Sequence, residues 1–154
     1  PLAELYWLGR TPTGQWQRHD IALDFGRIEA GGALADLDGD GDLDLVTGED
    51  YRGNAIHWWE CPDDPAEPWV QRVVYRMPEN QSHDQMLADV DGDGRPELYF
   101  WNQRGEAIYW ARVPDDPRVS PWPTVAVVAT GVKEEGFAVA DVDGDGRMEL
   151  IAGL

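Results

Sequence analysis

The sequence predicts an all-β chain built as a β-propeller of four-stranded blades, with three blade-equivalents in 154 residues. Two observations predict this. An acidic nine-residue loop occurs three times, and aromatic residues keep the same spacing. From Asp36 to Asp89 is 53 residues and from Asp89 to Asp141 is 52. Trp7, Trp59 and Trp110 recur at 52 and 51, and Trp16, Trp69 and Trp122 at 53 and 53. Tyr6, Trp58 and Tyr109 precede the first set. A period near 50 residues, filled by short strands and Gly/Pro/Asp turns, is the pattern of a propeller blade.

Taken in order, residues 1–9 read as a strand, Thr11-Pro12-Thr13-Gly14 as a turn and 16–23 as a second strand. Residues 31–37 enter the first acidic loop and 43–47 leave it. The next unit has strands at 55–59 and 69–75, a polar loop at 77–84, and strands at 85–90 and 97–101 around the second acidic loop. The last has strands at 107–113, 124–129, 136–142 and 149–152. No segment keeps a helical period. The repeat units are 1–47, which shares a blade with the C-terminal strands, then 48–101 and 102–154, in a single domain. Strands apolar on both faces fit blades packed between neighbours, and such packing accounts for most of the tryptophans.

The acidic loops carry the chemistry. Four acidic groups within nine residues repel one another unless a cation sits among them. Hard oxygen donors on a short loop suit Ca²⁺, with its 6–8 ligands, better than strictly octahedral Mg²⁺. The expected set is Asp36, Asp38, Asp40, the carbonyl of Asp42, and Asp44. The second is Asp89, Asp91, Asp93, the carbonyl of Arg95, and Glu97. The third is Asp141, Asp143, Asp145, the carbonyl of Arg147, and Glu149. Ca²⁺ is thus the expected cofactor, three per chain. An EF-hand is excluded, because its closing Glu falls at position twelve, where this chain has Thr47, Phe100 and Ala152. The alternative is an acidic turn without metal, which three matching copies disfavour.

The formal net charge is −18. Three divalent ions, +6 in all, would leave −12. Nucleic acid and anionic membranes need a basic face, so neither is an expected partner. No apolar run is long enough for a membrane-spanning helix. Cys61 is alone and makes no intrachain disulfide. The chain begins at Pro1 and shows no signal peptide, which is expected of a processed or trimmed chain. Exposed acidic calcium loops point to an extracellular or periplasmic setting.

Gly136-Phe137-Ala138-Val139-Ala140-Asp141-Val142-Asp143-Gly144-Asp145-Gly146 resembles the FG-GAP/VCBS repeat of integrin-type and bacterial secreted propellers, and residues 83–100 and 32–46 are similar. The resemblance implies Ca²⁺ in the hairpin between the first two strands of a blade, on the fifteen residues named above. It does not imply one function, since relatives include adhesion modules, lectins and domains of polysaccharide-active enzymes. Such propellers usually have six or seven blades.

Ligand candidates lie just before each blade's first strand, where propellers present residues to the central axis. They are His83, Asp84 and Glu135. The plainer account of His83 and Asp84 is a solvated loop pair. Trp101 stands where the other repeats have Gly48 and Gly153, and an extra Trp there would stack on a sugar or simply pack locally. His57 is expected as a packed histidine and His19 as a surface one. Three readings follow: a calcium-stabilised binding or scaffold module for carbohydrate or protein, a polysaccharide-active enzyme using His83 and Glu135, and an excised or designed fragment with no ligand. The first is favoured because no catalytic constellation is evident. Wrapping the chain end to start gives 51 residues from Trp110 to Trp7, the internal spacing again. A head-to-tail homodimer with six blades is therefore the expected assembly.

Overall fold

The computed structural model describes residues 3–131 and 136–153. Twelve strands form antiparallel sheets among them. β1 (Ala3–Arg10) and β2 (Trp16–Phe25) make a two-stranded sheet. β3 (Ala33–Ala35), β4 (Asp44–Gly48), β5 (Ala55–Glu60) and β6 (Val70–Arg76) make a four-stranded meander. β7 (Ser82–Ala88), β8 (Glu97–Asn102), β9 (Ala107–Arg112) and β10 (Val125–Thr130) make a second. β11 (Phe137–Ala140) and β12 (Glu149–Ala152) pair alone. Each strand lies where the turn chemistry places it. Several bounds differ by a few residues: β3 and β11 are shorter than the expected 31–37 and 136–142, and β7 begins at Ser82, so His83 and Asp84 are in the strand and not in the loop before it.

The repeat is visible in the register. Ala35 faces Asp44, Ala88 faces Glu97 and Ala140 faces Glu149, so β4, β8 and β12 are equivalent. A register shift follows Leu5 in β1 and Ile56 in β5, and β9 pairs across the same shift at Ile108 and Tyr109. The extra residue sits on the outer strand. This alignment places Trp58, not Trp59, with Trp7 and Trp110. The aromatic spacing from the sequence was one residue out there.

The core lies between the two middle sheets. Val46, Ile56, Trp58 and Val74 of the first meet Leu98, Phe100, Tyr109 and Ala111 of the second. Phe100 and Tyr109 stack with centroids 5.4 Å apart. Trp69 and Trp122 occupy equivalent places before β6 and β10 and donate their indole N–H to the Pro65 and Pro117 carbonyls.

Candidate metal centres

Each acidic loop is a hairpin from a strand that begins a sheet: β3 to β4, β7 to β8, β11 to β12. The first carboxylate of each loop organises the turn. Asp36 accepts the N–H groups of Gly39 (2.8 Å) and Gly41 (3.1 Å). Asp89 accepts those of Gly92, Asp93 and Gly94, and Asp141 those of Gly144, Asp145 and Gly146, all at 2.7–3.1 Å. The third carboxylate accepts the fifth residue's N–H in every loop. The fifth accepts the seventh's. The ninth reaches back to the second residue: Asp44 to Leu37, Glu97 to Val90, Glu149 to Val142. The glycines at positions four and six all have φ between 76° and 102°, a region that lets the chain wrap back on its own carboxylates.

These bonds leave lone pairs unused, since each carboxylate offers about four acceptor sites. Asp36, Asp38 and Asp40 bring oxygens within 4.8 Å of one another. So do Asp89, Asp91 and Glu97, and Asp141, Asp143 and Glu149. The ninth position thus joins the cluster in the second and third loops but not in the first. Asp44 is one methylene shorter than Glu, and its other oxygen accepts the Cys61 N–H at 2.8 Å. Asp93 and Asp145 stand outside the tight clusters, and Asp93 pairs with Arg112 at 3.0 Å.

Burial and mutual repulsion raise several of these carboxyls. Burial pushes Asp44 up to about 6, with the Cys61 and Leu37 amides opposing. Burial also raises Asp38, Asp42 and Glu97, with neighbouring carboxylates adding in each case. Asp42 keeps one buried carboxylate oxygen without a hydrogen-bond donor. Such a donor set, all hard oxygen and held by backbone amides, fits a Ca²⁺ ion. Arg95, expected to lend only its carbonyl, sends its side chain to Asp115. Two arginines missed in the sequence reach these loops. Arg112 binds Asp91 and Asp93, and Arg118 binds Asp38 and Glu60. Arg118 is 80 residues from Asp38, beyond any local signal.

The ligand candidates fare differently. Asp84 sits at a bulge in β7 with φ 37° and lines a depression of about 320 Å³ with Gly31, Gly32, Gln85, Met86 and Gly136. Gly31 has φ 94°, and a Cβ there would come within 2.7 Å of the Asp84 Cα, so glycine is required for this approach. His83 is largely buried, its Nδ1 3.6 Å from an Asp84 carboxylate oxygen, and does not line the depression. The plainer alternative, a solvated loop pair, does not hold for His83. Trp101 is fully buried in β8 and offers no face to a sugar, because both sides of that strand are covered by neighbouring strands and sheets. Glu135 lies outside the described residues. His57 is buried as expected, and its Nε2 bonds Glu49 Oε1 at 3.1 Å.

Comparison with known families reaches the second and third of these loops. Residues 89–152 match the FG-GAP-like repeat family. This stretch carries an FG-GAP-like repeat. The match bears out the resemblance drawn from residues 83–100 and 136–146. The first loop lies outside the matched residues but repeats the amide framework of the FG-GAP-like stretch at the third, fifth and ninth positions and, at the first, the bonds from the two glycine amides. No curated protein matches the chain.

Proposed function

We propose that this chain is a calcium-stabilised β-propeller module acting in binding or as a scaffold. The observation that carries the proposal is the threefold recurrence of one loop framework, with three carboxylates converging in each copy. When bound, Ca²⁺ would neutralise the converging carboxylates and tie the two strands of each hairpin together. The residues that would hold it are those of the three clusters, with the fifth- and seventh-position groups completing the shell. The chain's own amides already orient the first carboxylate, so little reordering accompanies uptake. The end where β3, β7 and β11 begin, with Asp84 beside Gly31 and Gly136, is the proposed place for a carbohydrate or protein ligand. Binding is preferred to catalysis because His83, the proposed acid or base, is largely buried beside Asp84. An extracellular or periplasmic setting, rich in Ca²⁺, suits the exposed loops.

Calorimetric titration of metal-stripped protein tests this. About three Ca²⁺ should bind per chain, and Mg²⁺ more weakly. No heat of binding, with no metal retained by elemental analysis, would refute the calcium reading.

A further inference from the structure

Each acidic loop contains two Asp–Gly bonds: 38–39 and 40–41, 91–92 and 93–94, 143–144 and 145–146. No other Asp–Gly occurs in the sequence. This dipeptide is prone to one spontaneous reaction. The glycine nitrogen attacks the aspartyl Cγ. A C–N bond forms, the Cγ–OH bond breaks, and the amide proton leaves with that hydroxyl as water. The resulting succinimide takes up water at either carbonyl and opens to aspartate or to isoaspartate. Glycine favours the attack because it has no Cβ to crowd the nitrogen. Isoaspartate puts an extra methylene into the main chain and shortens the side chain. At the third or fifth position it would carry the carboxylate out of its place in the loop.

In every loop both reacting groups are held elsewhere. Both glycine N–H groups go to the first carboxylate, Asp36, Asp89 or Asp141, at 2.7–3.1 Å. A bond to an anion opposes loss of the amide proton, which the attack requires. The carboxylate that would be attacked accepts the N–H two residues further on. Asp38 accepts that of Asp40, Asp93 that of Arg95, and the other four do likewise, at 2.8–3.3 Å. Packing does not shield these bonds, since a Cβ built on any of the six glycines would meet nothing within 4 Å. The hydrogen bonds are the restraint.

We propose that the third- and fifth-position aspartates are isomerisation sites, and that the first carboxylate of each loop protects them by holding the glycine amides. Ring closure at Asp91 or Asp93 can begin only after the glycine N–H leaves Asp89 and the attacked side chain leaves the amide ahead of it. Each closure therefore adds the loss of two charge-assisted hydrogen bonds to its barrier. The protecting residues are themselves followed by Leu37, Val90 and Val142, whose side chains crowd the same attack. The proposal rests on bonds within the chain, not on metal, so it stands or falls apart from the calcium titration.

The test incubates the chain at neutral pH, in EDTA and in Ca²⁺, beside the same chain unfolded in urea. Peptide mapping by mass spectrometry reads succinimide as the loss of one water and separates isoaspartate from aspartate at each bond. In both buffers the six bonds of the folded chain should react at least about tenfold more slowly than in urea, the factor one charge-assisted hydrogen bond puts on a barrier. Asp89→Ala should speed Asp91-Gly92 and Asp93-Gly94 about tenfold and leave the other four unchanged. Asp89→Asn, of nearly the same size, carries the test where the alanine variant fails to fold. Asp89 Oδ1 accepts the Gly92 and Asp93 N–H groups, and Oδ2 that of Gly94. An asparagine that keeps its oxygen on the first pair should speed Asp93-Gly94 alone. Folded rates equal to those in urea would overturn the proposal. Protection seen only with Ca²⁺ would assign it to the ion and overturn it too. So would Asp89→Asn acting on both bonds alike, or on neither.

Discussion

The Glu49 carboxylate sits among donors. Oε2 accepts the N–H groups of Asn54 and Ala55 at 2.9 Å each, and Oε1 meets His57 Nε2. The hydrogen bond from His57 and these amides pull its pKa from 4.5 to about 2, against the opposing effect of burial. A depressed carboxylate stabilises the fold fully above its unfolded pKa and loses that contribution as pH falls through the folded one. Glu49→Gln should therefore cost about 3 kcal/mol above pH 4.5, and the deficit should shrink toward zero as pH approaches 2. Chemical denaturation of both proteins across that range measures it, and a constant deficit would contradict the assignment. The sequence marks His57 as packed but gives no sign of its partner. Nor does it reveal that Trp101 is enclosed, since burial there depends on strands far along the chain.

At the scale of the hairpin loop, the first carboxylate does structural work even without metal. Asp89→Ala removes three accepted hydrogen bonds and should cost about 1–2 kcal/mol in EDTA. Arg95→Ala breaks only an exposed pair with Asp115 and should stay within about 0.5 kcal/mol. Urea unfolding of both variants decides, and a larger loss for Arg95→Ala would count against this account. The strands were legible because Gly, Pro and Asp punctuate them on a regular period. So were the loops, whose spacing is local. The slip from Trp58 to Trp59 has a physical cause: two adjacent tryptophans satisfy the spacing equally well, and only the strand pairing chooses between them. Arg112 and Arg118 were illegible because their reach depends on sheets that come together in three dimensions.

For the whole molecule, the dominant fact is −18 of net charge on 154 residues. Each site held tenfold above its Kd would add about 1.4 kcal/mol, or about 4 kcal/mol for three. For a chain of this size that corresponds to a shift in Tm of about 8–16 °C. EDTA should lower Tm by an amount in that range, and Ca²⁺ should restore it more fully than Mg²⁺ at equal concentration. A melt indifferent to EDTA would remove calcium from the stability of the fold.

The position of the core also sets the order in which the chain comes apart. Among the described residues its clustered side chains belong to the two middle sheets and the segments beside them, and of β1, β2, β11 and β12 only Ile21 of β2 is a buried apolar residue. Stability in such an array is a sum of local units and the contacts between neighbours. The outer hairpins therefore fray first, each on its own, while the middle pair holds as a unit until the end. Over residues 3–153, opening is expected to run from the outer hairpins inward. Anything that clasps the two flanks together, whatever its chemistry, acts as a lock on the whole array, because it removes the places where the unzipping starts.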